Sequence, residues 1–137
     1  MTTIDNVQLI EVPKAHDVRG NLSVVEGNTI PFEIKRVYYL YDIPTGSVRG
    51  GHAHKNLQQL LVALSGSFDV LITNCNGTTE KFSLNRSYYG LYLPAKTWRH
   101  IENFSTNALA LHVSSKPFSK EDYIRDFENF KKLPNEY

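Results

Sequence analysis

An all-β domain, closed on itself as a sandwich or barrel, is the fold class that this 137-residue sequence predicts. Three observations carry that expectation. Between Val7 and about Val113 the chain is a succession of short runs rich in Val, Ile, Leu, Tyr and Phe. The runs are punctuated at regular intervals by Gly, Asn, Pro and Ser, and only the tail beyond Pro117 changes period. In order, the candidate strands are Val7–Val12, Leu22–Glu26, Ile34–Asp42, Val48–His54, Gln59–Ser65, Phe68–Asn74, Thr79–Leu84, Tyr89–Leu93, Arg99–Asn103 and Ala108–Val113. Ser65-Gly66-Ser67 and Asn74-Cys75-Asn76-Gly77 read as hairpin turns, the second through an Asn-Gly pair that tolerates positive φ. Consecutive strands are therefore mostly antiparallel. In the tail, Ser119 is placed to cap a helix, Glu121 and Asp122 fall in its first turn, and Tyr123, Phe127 and Phe130 recur at helical spacing. A helix over about 119–132 follows, ended by Lys131 and Lys132 and docked on the barrel through its aromatic stripe. One domain of 1–137, with its barrel over about 7–113, accounts for the whole chain.

Composition removes several function classes. Lys+Arg at 15 against Asp+Glu at 14 leaves a net charge of +1, too even for a surface that binds nucleic acid or an anionic membrane. An anionic ligand would have to be caught by local arginines. No run approaches the ~18 apolar residues of a membrane span. The single Cys75 can form no internal disulfide, and Met1–Asp5 offers neither a basic nor an apolar leader, so a cytoplasmic protein is expected.

The sharpest local feature runs from Gly46 through Arg49-Gly50-Gly51-His52-Ala53-His54 and Gln59 to Gly66. Histidines at i and i+2 of a strand point to one face, so both imidazoles enter one interior. This pattern resembles the first motif of the cupin superfamily, which implies a double-stranded β-helix, or jelly-roll barrel. In metal-binding cupins a glutamate and a later histidine complete the ligand set. Here Gln59 stands at the glutamate position, and Arg99 stands at the last ligand position of Pro94-Ala95-Lys96-Thr97-Trp98-Arg99-His100-Ile101-Glu102-Asn103. Arginine cannot coordinate and a carboxamide is a weak ligand. His100 is one residue late, which on a regular strand turns it to the opposite face unless a bulge intervenes. No metal and no cofactor are expected, and the histidines are read as proton-transfer groups suited to chemistry beside a ketone.

Arg19-Gly20-Asn21-Leu22, Lys35-Arg36-Val37-Tyr38-Tyr39, Arg49-Gly50-Gly51-His52-Ala53-His54-Lys55, Gly90-Leu91-Tyr92 and Asp122-Tyr123-Ile124-Arg125 with Asn129-Phe130 form an ordered set over nearly the whole chain. In this the sequence resembles the WxcM-like, FdtA-type sugar 3,4-ketoisomerases acting on dTDP-4-keto-6-deoxyglucose. The resemblance implies transfer of a proton from carbon 3 to carbon 4 through an enediol. The 3-keto product would feed an aminotransferase making 3-amino-3,6-dideoxyhexoses for cell-surface polysaccharide. It assigns His52 as base at carbon 3 and His54 as proton shuttle. Tyr38 is either a donor to the ketone or a hydrogen-bonded core tyrosine. Arg19, Arg36, Arg49 and Arg99 are candidates for the diphosphate, because planar guanidinium matches phosphate oxygens in pairs. Arg49 lies three residues before His52, so Gly50-Gly51 must bend the strand for both to share a face. Trp98 either stacks on thymine or fills the core. A homodimer joined at exposed sheet edges is expected. A 3,5-epimerase-like enzyme and a non-catalytic sugar-nucleotide-binding cupin are the alternatives, and either configuration at carbon 4 of the product is compatible with the residues.

Overall fold

The strands expected from the hydrophobic runs assemble into two facing antiparallel sheets in a computed structural model that describes residues 6–133. In chain order they are β1 (Gln8–Glu11), β2 (Lys14–Asp17), β3 (Gly20–Ser23), β4 (Arg36–Leu40), β5 (Arg49–His54), β6 (Gln59–Ser65), β7 (Phe68–Thr73), β8 (Thr79–Leu84), β9 (Tyr89–Leu93), β10 (Trp98–Glu102), β11 (Leu109–Ser114) and β12 (Tyr123–Ile124), with helix α1 at Phe127–Lys131. One sheet has the order β1-β9-β6-β11-β4 and the other β12-β5-β10-β7-β8. This is the jelly-roll barrel with a C-terminal helix that the sequence predicts. No helix among the described residues is long and apolar enough to cross a membrane.

The core between the sheets follows from strand alternation. Leu61 and Ala63 of β6, Phe68, Val70 and Ile72 of β7, Leu91 and Leu93 of β9 and Ile101 of β10 meet there, each nearly or fully removed from water. Burying the larger of these side chains stabilises by roughly 1.5–3 kcal/mol each. β6 is buried on its second face as well, where Leu60 and Val62 pack on Ile30 and Phe32. That is why its sequence reads as an unbroken apolar run rather than an alternating one.

Two expectations are corrected. The run at Leu22–Glu26 is not a lone strand: β2 and β3 form a hairpin that pairs only with itself and is exposed at every position. Its turn is set by Asp17, whose Oδ1 accepts the Arg19 N–H at 2.7 Å. The tail is not one helix over 119–132. Lys120–Asp122 form a single 3-10 turn, β12 pairs with β5, and α1 begins only at Phe127, capped by Asp126, whose side chain accepts the Glu128 N–H at 2.9 Å. Long-range pairing overrides the helical period. The Asp122 carboxylate accepts the N–H groups of Asn56 at 2.9 Å and Leu57 at 3.2 Å, and the Lys55 N–H donates to the Asp122 carbonyl, pinning the segment extended along β5.

Candidate active site

The site grows from an irregularity in β5. Its pairing with β10 sets Arg99 opposite His52 and His100 opposite Gly50, so Gly51 has no partner and the strand bulges. Both glycines need the bulge conformation: Gly50 has φ +104° and Gly51 has φ +58°. A Cβ on Gly50 would lie 3.0 Å from the His100 Cα, so the close approach of the two backbones also requires glycine. The bulge turns Arg49 to the same side as His52, which regular alternation would forbid. Arg49, Gly50, His52, Arg99 and Ile101 thus line one cavity of about 320 Å³.

Neighbouring strands supply the other walls: Arg36, Tyr38 and Leu40 from β4, Gln59 from β6, His112 from β11, and Tyr123 with Arg125 from β12 and the residue after it. Four arginines and no acidic side chain line the cavity among the described residues. Arg99 is 2% exposed; its Nη1 donates to Gln59 Oε1 at 2.6 Å, while Nη2 is buried with no hydrogen-bond partner. Gln59 Nε2 reaches Tyr38 Oη at 3.2 Å and Ser114 Oγ at 3.1 Å. Tyr38 lies almost flat on His112, ring centroids 4.4 Å apart and 15° between planes, with the Arg36 guanidinium over the ring at 4.5 Å.

His54 lies behind His52 rather than on the cavity wall. It is fully buried, its ring edge-on to that of His52 with centroids 4.9 Å apart, and its Nδ1 is 3.5 Å from the Asp122 carboxylate. Burial first, then the field of Arg99, holds the His52 imidazole down to about 4 and pushes His54 far below the usual imidazole range. Burial likewise lowers His112 to about 3 and draws Arg99 down to about 10. The Tyr38 phenol is pushed up by burial, against the opposing pull of its hydrogen bond from Gln59. The site therefore offers neutral imidazoles and protonated phenol beside guanidinium cations: a base, a hydrogen-bond donor and fixed positive charge for a developing oxyanion.

Of the residues singled out in the sequence, His52, Tyr38, Arg36, Arg49 and Arg99 are brought together on the cavity wall, with His54 directly behind. Two are not. Arg19 sits on the β2–β3 turn, its side chain 86% exposed and paired with Asp17 at 2.6 Å. Trp98 precedes Arg99 on β10 and so faces away, packing at 5.2 Å from Phe127 and 5.7 Å from Phe130 beneath α1. His100 also faces away, its Nε2 3.3 Å from Glu102, because the bulge falls on β5 and leaves the alternation of β10 intact. His112, Tyr123 and Arg125 were not singled out for the site. Tyr123 and Arg125 were hidden by the helical reading of the tail, and a lone histidine in an apolar strand carries no local signal.

Three comparisons with known proteins bear on this site. Residues 5–135 match the family model described as FdtA: WxcM-like, C-terminal. The TDP-4-oxo-6-deoxy-alpha-D-glucose-3,4-oxoisomerase of Aneurinibacillus thermoaerophilus is 39% identical over 126 residues, covering 91% of this chain and 90% of the relative. Among solved structures, the 3,4-ketoisomerase QdtA of Thermoanaerobacterium thermosaccharolyticum superposes with a TM-score of 0.89 at 33% identity, covering 92% of this chain and 91% of that one. It is a histidine-to-asparagine variant in complex with TDP-4-keto-6-deoxyglucose. The TDP-quinovose 3,4-ketoisomerase WlaRB of Campylobacter jejuni gives a TM-score of 0.89 at 39% identity, covering 93% and 98%.

Proposed function

The chain belongs to the FdtA family of WxcM-like C-terminal domains, a sugar 3,4-ketoisomerase, and from that membership we infer that it converts TDP-4-keto-6-deoxyglucose to the 3-keto-6-deoxyhexose. The observation that carries this reading is a cavity wall on which a neutral histidine stands opposite an arginine with no acidic partner. His52 removes the proton at carbon 3, which the ketone at carbon 4 has made acidic. Arg99 and Tyr38 face the oxygen on which negative charge then gathers, and stabilise the enediolate. His52, supported from behind by His54, returns a proton to carbon 4. Arg36, Arg49 and Arg125 hold the diphosphate, whose two or so negative charges match the unbalanced cations. The enzyme works in the cytoplasm, a compartment that suits a chain whose single cysteine, Cys75, can form no internal disulfide. Its 3-keto product is the carbonyl that an aminotransferase requires.

Incubation with TDP-4-keto-6-deoxyglucose in deuterated water, followed by NMR, tests the reaction. The expected product carries its ketone at carbon 3 and no deuterium at carbon 5. Deuterium at carbon 5 with the ketone still at carbon 4 would mean epimerisation instead, and tight TDP binding without any product would mean a binding protein.

The enzyme acts as a homodimer. Supporting this, β4 is the last strand of its sheet, and Val37 and Tyr39 point outward from it at 54% and 57% exposure, with Tyr41 beyond them at 62%. An exposed apolar edge of this kind invites pairing with a second copy. Light scattering is expected to give twice the 15.6 kDa of one chain, and a single-chain mass at micromolar concentration would overturn the dimer.

A further inference from the structure

We propose that Gln59 is a positioning residue that fixes Tyr38 as a hydrogen-bond donor toward the substrate oxygen. The inference rests on the ketoisomerase reading and concerns how its oxyanion is met. Arg99 has N–H donors and no acceptor, so the carboxamide atom 2.6 Å from its Nη1 must be oxygen. The amide nitrogen is then compelled to face the other way. There its two N–H groups are taken up by Tyr38 Oη at 3.2 Å and Ser114 Oγ at 3.1 Å.

Reversing the amide would set N–H against guanidinium, and at 1% exposure no water competes for either end. The phenol oxygen therefore accepts from Gln59, and its own proton is left to be donated into the cavity that Tyr38 lines. Stacking on His112 at 4.4 Å holds the ring so that this proton has a fixed direction. The donated hydrogen bond meets the keto oxygen in the ground state and strengthens as charge develops on it; no proton need leave the phenol. Gln59 thus transmits the orientation set by Arg99 to Tyr38. A glutamate of the same shape would do the opposite. Its two oxygens would accept from Arg99 and from Tyr38 alike, turning the phenol proton away from substrate and cancelling the Arg99 charge.

The test is the set Gln59→Glu, Tyr38→Phe and the double variant, assayed with EDTA so that a carboxylate beside two histidines holds no stray metal. Gln59→Glu is expected to lower kcat by about 10–100-fold with TDP affinity kept within about threefold. Tyr38→Phe is expected to have a similar effect, and the double variant to be no worse than the poorer single. Titration of Tyr38 followed by carbon-13 NMR at Cζ gives a readout without substrate. Its ionisation moves upward in Gln59→Glu, because a carboxylate holds the phenol proton. Should Gln59→Glu not fold, Gln59→Met removes the donated N–H at similar volume and must raise the Tyr38 titration and lower kcat too. An unshifted Tyr38 titration, or independent losses that multiply in the double variant, would overturn the proposal. Failure of the wild-type protein to form any 3-keto product would instead overturn the ketoisomerase reading, and leave the Tyr38 titration to decide the Gln59 relay separately.

Discussion

His52→Asn is expected to lower kcat by about 10²–10⁴-fold, the range for loss of a positioned base, while TDP binding measured by calorimetry is largely retained. What the smaller side chain forfeits structurally is ring packing, since the imidazole lies 4.9 Å from the His54 ring and 5.1 Å from the Tyr123 ring. Both ring nitrogens are buried without a well-formed hydrogen bond, and asparagine is smaller than the ring it replaces. The ring's protonation sets the pH profile as well. Because burial and Arg99 hold the imidazole down to about 4, the base is already free well below neutrality. The acid limb of kcat/KM, which reports the free enzyme, is expected near pH 4 and not near the 6.5 of an ordinary imidazole. A variant that turns over normally, or a limb at 6.5, would remove His52 from the chemistry.

Arg99→Met is expected to lower kcat by about 10²–10³-fold, the effect of deleting one oxyanion donor, without lowering the unfolding midpoint. The second half of that expectation separates a functional cation from a structural one. Arg99 is buried beside Gln59 with no carboxylate opposite it, and one of its nitrogens is without a partner. A buried charge so poorly compensated destabilises the folded chain, and an apolar side chain of similar length removes that cost while leaving two acceptors, the Gln59 Oε1 and the Thr97 carbonyl, without the guanidinium. Activity and stability therefore move in opposite directions at this position. A large drop in the midpoint, with TDP-bound protein equally affected, would mean that Arg99 serves the fold.

Much of the barrel was legible because its strands announce themselves by alternation and by turns. β6, β8 and β9 begin and end at the residues expected from the sequence, and the Asn-Gly pair lies in the β7–β8 turn as expected. The elements misread are those whose shape is decided by distant partners. Tyr123, Phe127 and Phe130 have helical spacing, yet the Asp122 carboxylate and the edge of β5 claim the first of them for a strand. The site followed the same division. His52, Arg49 and Arg99 could be placed by counting residues, provided the two glycines bent β5, which they do. Trp98 was drawn into the site by proximity in sequence, although its one-residue offset from Arg99 sends it to the opposite side. His112 could not be picked out because its role comes from lying against Tyr38 across the sheet, a relation that exists only after β4 and β11 pair.

The two-residue strand β12 has a consequence for biogenesis. Tyr123 and Arg125 are the latest-synthesised of the residues that wall the cavity, since every other strand precedes them in the chain. A domain folds as a unit, so its wall is complete only once its last segment has been made. A nascent chain short of that segment lacks the guanidinium and phenol that finish the wall, and also the partner that β5 pairs with beside His52. Competence for catalysis thus waits on the last segment, and proteolytic trimming of the tail would cost both the wall and the cover that Ile124 and Phe130 give to Ala53 and Trp98.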